Sequence, residues 1–522
     1  MGLFFDSIFV EVLCAIVLGY WMLYLYFAKD YGYWERKNIT HIPAVFPFGS
    51  DFKVMLGWTF LGISLDRMYR EHGDQRFVGF TIVRKPWLMI RDPDFCRSVL
   101  QKDFPHFMDR SGAYTHPKDY MMNHLFMLKG QEWKDTRMKL TPAYTAVKLK
   151  AMFFLVKSCS KNLHDVIDQS AKSNVAVDVK DVMSRYATDV VATCAFGLKI
   201  DSLSNKESRF YKAGRKANEV GVLVLLKVYL IHAFPIFSKL HCFDFMDSKI
   251  KNFITGVVRK TIEYREKYNV SSLDFLDMLI KLRQNGNILD EGEPSSKQRN
   301  VNQKSQGMTI EEITAETFMF FKTGYETTSN TIMFCLYELA CNSRIQDTLF
   351  SEVEEVLDRH ASEISYQALQ EMTYMDQVIN EALRCYPVFP HLSRVCTQDY
   401  RVPDSTLEID KGVSVVIPVY SLHHDPKYFP DPYTFDPDRF SPENCKGRHP
   451  YVYLPFGEGP RMCIGLRFGL MKIKTALATL VSDYQISLTP ETEVPLQFKS
   501  NSFTTLPSTT LKLIFSKRKQ KV

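Results

Sequence analysis

Phe456-Gly-Glu-Gly-Pro-Arg-Met-Cys463-Ile-Gly465 is a glycine- and proline-rich loop that runs directly into the helical pattern Leu466 to Leu480. Cys463 therefore stands near a helix N-terminus, where the partial positive charge of the backbone amides favours a thiolate, and Arg461 adds a cation close by. A low-pKa thiolate beside glycines that let another body approach the backbone is what a soft metal centre requires. A dinucleotide loop is excluded, because Gly457 and Gly459 would need a third glycine at 462, where Met stands, and no strand feeds the loop at the needed spacing. A reactive-cysteine nucleophile, which needs a partner base, and a plain turn around a buried cysteine are the other readings of this loop.

Working outward, the 11 cysteines of the 522-residue chain are scattered, with no C-x-x-C pair and no histidine at zinc-ligand spacing, which argues against a disulfide framework or a structural zinc site. Upstream of the loop, Thr309 with Glu312 forms a capping box, and apolar periodicity then continues to about Ala340, which predicts one helix of about 48 Å that crosses the whole domain. Its middle, Phe320-Phe-Lys-Thr-Gly-Tyr-Glu-Thr-Thr-Ser329, suits a helix interior poorly, since Gly324 costs about 1 kcal/mol against Ala and the threonines compete for backbone carbonyls. Such a violation marks either a kinked structural helix or a functional groove with proton-handling groups. Helical patterns dominate from about 130 to 385, with short strand-like runs at Trp87 to Ile90 and Val413 to Val419, so the chain reads as mainly α with a small β portion. The polar stretch Asp290 to Gly307 reads as an exposed loop between two helices.

At the other end, Ile8 to Phe27 is apolar except for Glu11, about 30 Å of helix and enough for one hydrocarbon core. Asp6 before the run and Trp21, Tyr24, Tyr26 and Phe27 at its far end are unlike a cleaved signal, so the run reads as a membrane anchor. Lys29, Arg36 and Lys37 follow it, which places the rest of the chain in the cytosol by the positive-inside rule. The sequons at Asn38 and Asn269 would be used only in the opposite orientation. The expected organisation is an anchor over 1–29, a basic, Pro-containing linker over 30–50, and a globular body over 51–522. With 65 Lys+Arg against 59 Asp+Glu, the net charge of +6 is too dilute to indicate nucleic-acid binding.

Phe456, Gly459, Arg461, Cys463 and Gly465 together resemble the haem-binding signature of the cytochromes P450. Trp133-x-x-x-Arg137, Glu381-x-x-Arg384 and Phe435-Asp-Pro-Asp-Arg439-Phe440 stand in that family's order, so the resemblance covers essentially the whole chain. Phe107-Met-Asp-Arg-Ser-Gly112 through Leu140-Thr-Pro142 is further similar to the insect microsomal branch that includes many xenobiotic-metabolising enzymes.

The resemblance implies the cytochrome P450 fold, with the long central helix over the haem, and 51–522 as a haem-thiolate catalytic domain. Cys463 is then expected as the axial thiolate of haem b, with Phe456 and Gly465 of the same loop among the haem-binding residues. Arg461, Arg137 and Trp133 are expected at the haem propionates, joined by Arg394, since a guanidinium forks onto a carboxylate better than an ammonium does. Glu381 and Arg384 would pair with Arg439 as a buried network behind the haem. Glu326 and Thr327 correspond to the acid–alcohol pair that supplies protons during oxygen activation. Thr323 stands where the family usually has Ala or Gly, adding a methyl and a hydroxyl to the oxygen groove. Lys322 before it is an unusual charge for a core-facing region, for which facing away from the haem is the simplest reading. The implied activity is a monooxygenase that oxidises lipophilic xenobiotics, steroids or fatty acids with dioxygen, using NADPH electrons from a flavoprotein reductase, with cytochrome b5 as a further partner, at the endoplasmic reticulum membrane. Lys139, Arg137 and Lys446 are candidates for the docking face. Pocket walls are expected from 107–127, 219–238, 320–327, 388–392 and 500–506. The alternative is a haem-binding protein or haem-thiolate isomerase that needs no reductase.

Overall fold

The computed structural model describes residues 8–518 apart from 74, 113–118, 220, 241–245 and 286–306, so Asp6, Cys242 and nearly all of the expected 290–307 loop lie outside the described residues. Ile8–Tyr31 forms a 24-residue helix (α1) in which only Phe27 is buried. It is long and apolar enough to cross a membrane, and none of its apolar window packs inside the protein, which separates it from a core helix. Its C-terminal end is fixed. Phe27 meets Phe46 and Phe234 edge to face, Tyr26 donates to the Ala233 carbonyl at 3.0 Å, and Asp30 pairs with Arg84 at 2.5 Å. The following 30–50 segment, stiffened by its prolines, also packs on the body: Trp34 is fully buried and donates to Phe80 O at 3.0 Å, and His41 bridges to Gly79.

The sheet component is small. Phe77–Ile82 (β1), Lys85–Ile90 (β2), Leu392–Val395 (β3) and Ser414–Ile417 (β4) form one sheet in the order β1-β2-β4-β3, in which β2 and β4 run parallel and the other pairs are antiparallel. The two runs expected as strands are thus neighbours, with Trp87 opposite Ser414. Arg394 on β3 lies opposite Val415.

That body is built from Gly130–Leu140 (α2), Ala146–Lys172 (α3), Val179–Phe196 (α4), Val222–Ala233 (α5), Ile310–Cys341 (α6), Thr373–Cys385 (α7) and Leu466–Val481 (α8). The expected capping box is present on α6: Thr309 Oγ1 accepts from Glu312 N at 3.1 Å, and the Glu312 carboxylate accepts from Thr309 N at 2.7 Å. The helix is 32 residues long and is continuous through Gly324. Glycine is required there by packing, since a Cβ would stand 2.9 Å from Val191 Cγ2 on α4. Three apolar clusters are described, a large one among the helices, a smaller one around the sheet and a small one where Phe27 meets Val83 and Ala233, and Cys463 stands just before α8.

Candidate active site

The Cys463 loop owes its course to Gly457 and Gly459, at φ +68° and +75°, in the left-handed region where a side chain is strained. Gly459 also abuts the backbone, because a Cβ there would stand 1.9 Å from Leu100 O. The loop then turns back so that Cys463 N donates to Phe456 O at 2.9 Å, and Gly465 becomes the N-cap residue of α8. Cys463 keeps accessible surface although burial is the largest influence on its thiol, a combination that places it on the wall of an interior cleft. Burial pushes that thiol up, while the Gly465 amide, Arg110, Arg137 and Lys472 pull it down. The expected low-pKa thiolate is therefore corrected: desolvation outweighs the helix terminus, and the neighbouring cations are Arg110, Arg137 and Lys472 rather than Arg461. A coordinated metal deprotonates such a thiol outright, so the site suits a ligand more than a free nucleophile.

Four guanidiniums surround the loop. Arg137 donates to Met462 O at 3.0 Å and Arg110 to Arg461 O at 3.0 Å, both gripping the backbone just ahead of Cys463. Arg461 donates to Leu128 O at 2.7 Å and lies on the Trp133 ring at 4.3 Å, which gives Trp133 a cation–π role. Among the described residues, Arg394 donates only to the adjacent Ser393 O, at 2.8 Å, and the Nε atoms of Arg394 and Arg461 are buried without a partner. Burial lowers all four. Arg110 falls to about 10 and Arg461 to about 9, where Arg110 adds to the depression, and Arg394 is lowered further by both. Among the described residues, the acid paired with these guanidiniums is Asp109, 3.9 Å from Arg461. Buried cations with orphaned donors call for anions, and the two carboxylates of haem supply them, so the residues present fit that cofactor. Arg110 is the residue that sequence reading missed; it sits within the 107–112 stretch, whose one sequence signal is its likeness to the insect branch.

Opposite the loop, α6 is buried on all sides through its middle except along Met319, Lys322, Thr323, Glu326 and Thr327, with Gly324 beside them. The spacing i, i+3, i+4, i+7, i+8 is a single stripe, so these side chains border one cleft. Lys322 is on that stripe, which corrects the expectation that it faces away. Thr323 Oγ1 donates to Met319 O at 2.7 Å and Thr327 Oγ1 to Thr323 O at 2.6 Å, so the extra hydroxyl is tied to its own helix. Glu326 Oε1 accepts from Thr504 Oγ1 at 3.1 Å. Lys180, half-buried and lowered to about 8 by desolvation, donates to Ser329 Oγ at 3.3 Å, and Glu326 acts on it electrostatically. Lys472 from α8 donates to Gly324 O at 3.0 Å, joining the two walls. A lysine inside the apolar Leu466 to Leu480 pattern was the available sign of this tie.

Behind the loop, Arg384 forks onto Glu381 at 2.7 and 2.8 Å and reaches the carbonyls of His423 and Pro432 at 2.9 and 2.8 Å. Both side chains are fully buried. Arg439 approaches Glu381 at 3.4 Å, so the three residues expected as a network do meet. Burial pulls Arg384 down, and the Glu381 contact more than offsets it, leaving the guanidinium raised.

Residues 54–515 match the cytochrome P450 family. The probable cytochrome P450 6a14 of Drosophila melanogaster is 37% identical over 504 residues, covering 95% of this chain and 97% of that protein. Cytochrome P450 6a2 of the same species is 36% identical over 504 residues, with coverages of 95% and 97%. Cytochrome P450 6k1 of Blattella germanica is 36% identical over 497 residues, with coverages of 95% and 94%. With a desolvated cysteine, a cradle of guanidiniums and a proton-bearing helix face about one cleft, the chain belongs to the cytochrome P450 family, the haem-thiolate monooxygenases that take NADPH electrons through a reductase.

Proposed function

We propose that this P450 oxidises lipophilic small molecules in a cleft between the Cys463 loop and the exposed stripe of α6, with 51–522 as the catalytic body. Haem b bound through the Cys463 sulfur supplies activation of dioxygen, one atom entering the substrate and the other leaving as water. Arg110, Arg137, Arg394 and Arg461 hold its carboxylates, and Trp133 orients Arg461 by stacking. Phe456 and Gly465 fix the sulfur through the Cys463 N–H and the amide that faces it. The Glu381, Arg384 and Arg439 network keeps the segment behind the loop in register. Thr327 holds its hydroxyl on the Thr323 carbonyl and keeps lone pairs for a proton, and Glu326, positioned by Thr504, replenishes it.

The body faces the cytosol from the endoplasmic reticulum membrane, and its basic face about Lys139 and Lys446 receives the reductase and cytochrome b5. Foreign lipophiles are the favoured substrates by the likeness to the insect relatives, with steroids or fatty acids as the other class.

The observation that carries this reading is the set of four guanidiniums about the Cys463 loop, two of them buried (Arg394 and Arg461) and two half-buried beside the desolvated cysteine (Arg110 and Arg137), with Asp109 the one weakly placed acid among the described residues. It is tested by the ferrous carbon monoxide difference spectrum of membranes bearing the chain, with Cys463→Ser beside it, and by NADPH consumption with and without reductase. A red-shifted thiolate band lost in C463S, together with reductase-dependent turnover, is the expected result. Turnover without reductase would leave an isomerase in its place.

A further inference from the structure

Two lysines are buried on α8, and their surroundings differ. Lys474, 4% exposed, pairs with Asp376 at 2.8 Å and donates to Met372 O at 3.0 Å. Lys472, 1% exposed, donates to Gly324 O at 3.0 Å, and no carboxylate pairs with it among the described residues. A backbone carbonyl offsets part of the desolvation of an ammonium but none of its charge, so the fold keeps an unneutralised cation at this point.

Contacts fix where that cation stands. The Lys472 Nζ lies 4.7 Å from the ring centroid of Phe468, one turn nearer Cys463, as a helical side chain leaning toward its N-terminus requires. Phe468 packs in turn on Phe320 of α6, with 5.3 Å between ring centroids. Gly324 admits the ammonium, since a Cβ there would stand 3.3 Å from Nζ as well as 2.9 Å from Val191. The charge is therefore held between the cysteine helix and the turn of α6 that carries Thr323, Glu326 and Thr327, the two walls of the cleft. Cys194 and Cys463 are the groups that act on it electrostatically, and burial lowers it to about 8, so most of it keeps its proton at neutral pH. Cys194 is fully buried and its thiol is pushed well up, so it stays neutral. Of the two, Cys463 alone becomes an anion, once its sulfur is a metal ligand.

We propose that Lys472 is a built-in countercharge for the haem centre, tying α8 to the Gly324 turn and raising the reduction potential of the site. The step it favours is the transfer of one electron from the reduced flavin of the reductase to ferric haem, which becomes ferrous, and that electron adds a negative charge to a desolvated centre. A fixed cation in the low-dielectric interior offsets the added charge, whereas an exposed one is screened. The inference rests on Cys463 as the haem ligand. Lys472 is a positioning residue, acting through the field at Cys463 and through the Gly324 carbonyl, and it leaves proton delivery with Glu326 and Thr327.

The test is a spectroelectrochemical titration of the full haem-loaded chain in bilayer discs, at neutral pH and without substrate or turnover. Lys472→Met, which keeps the stem and removes the charge, makes electron uptake about tenfold less favourable, a fall of about 59 mV for a one-electron couple. Lys472→Arg retains most of the wild-type potential. Lys474→Met removes another buried lysine from the same helix, one already neutralised by Asp376, and moves the potential far less. If K472M keeps the wild-type potential, or if K474M lowers it equally, the proposal is overturned. Should K472M load no haem, Lys472→Gln is titrated in its place. If neither neutral variant loads haem, K472R decides: loading in K472R alone shows that the charge is needed at the haem, and failure of all three shows a packing role and overturns the proposal. The carbon monoxide band is recorded on every sample. An intact thiolate band with an unmoved potential condemns the countercharge and leaves the Cys463 reading standing, whereas a wild type without that band condemns the Cys463 reading and this inference with it.

Discussion

A single methyl group is enough to test the Cys463 loop. Gly459 combines a positive φ with a virtual Cβ 1.9 Å from the Leu100 carbonyl, and neither backbone can yield without moving the loop. Gly459→Ala should cost roughly 4 kcal/mol or more and abolish haem loading, read as loss of the carbon monoxide band in protein of normal yield. Arg110→Ala should release haem faster by about 1.5–3 kcal/mol of lost charge-assisted bonding, measured by transfer to an acceptor globin. Glycine, arginine and cysteine at fixed spacing are legible in the chain because local backbone geometry demands them within ten residues. Arg110 is not, since its partner backbone at Arg461 is 351 positions away and only folding brings the two together.

At the scale of elements, the long helix forms as its pattern predicts, including its cap, but the pattern does not say which face of it borders the cleft. Around α6 the buried residues include Glu316, Asn330 and Glu338 as well as apolar ones, so polarity along the chain is silent on where Lys322 points. The same helix carries a buried acid with a visible pH signature. Glu316 is raised to about 8 by burial and, less, by the Glu312 charge, against the Leu125 N–H that lowers it. Between its unfolded value of about 4.5 and the folded value of about 8 the native state holds the extra proton, so this group makes stability fall as pH rises through that window. Glu316→Gln, which keeps an acceptor for Leu125 N, should flatten that fall, of up to about 1.4 kcal/mol per pH unit, in urea unfolding followed from pH 5 to about 8. On α7, Arg384→Ala strands Glu381 with only Arg439 and the Asp436 amide, and should lower holoprotein yield by about 3–5 kcal/mol of stability.

For the whole molecule, the anchor and the body are separable by hydropathy alone, whereas their mutual contact is invisible until Phe27 meets Phe46 and Phe234 across distant segments. Asn38 and Asn269 both lie on the far side of the span from the N-terminus, so a chain made in microsomes should show no glycosidase-sensitive mass change; a shift at either sequon would invert the topology. The clamp at the end of α1 has a mechanical consequence. A span joined to its body by a loose tether lets that body tumble above the bilayer, whereas the end of α1 is held to the body by the Arg84–Asp30 pair, the Phe27 ring contacts and the Tyr26 hydrogen bond together. On the reading of α1 as a membrane span, the body is expected to keep one height and tilt above the bilayer, so that its meetings with other membrane-bound proteins would become a two-dimensional search between surfaces already level with each other.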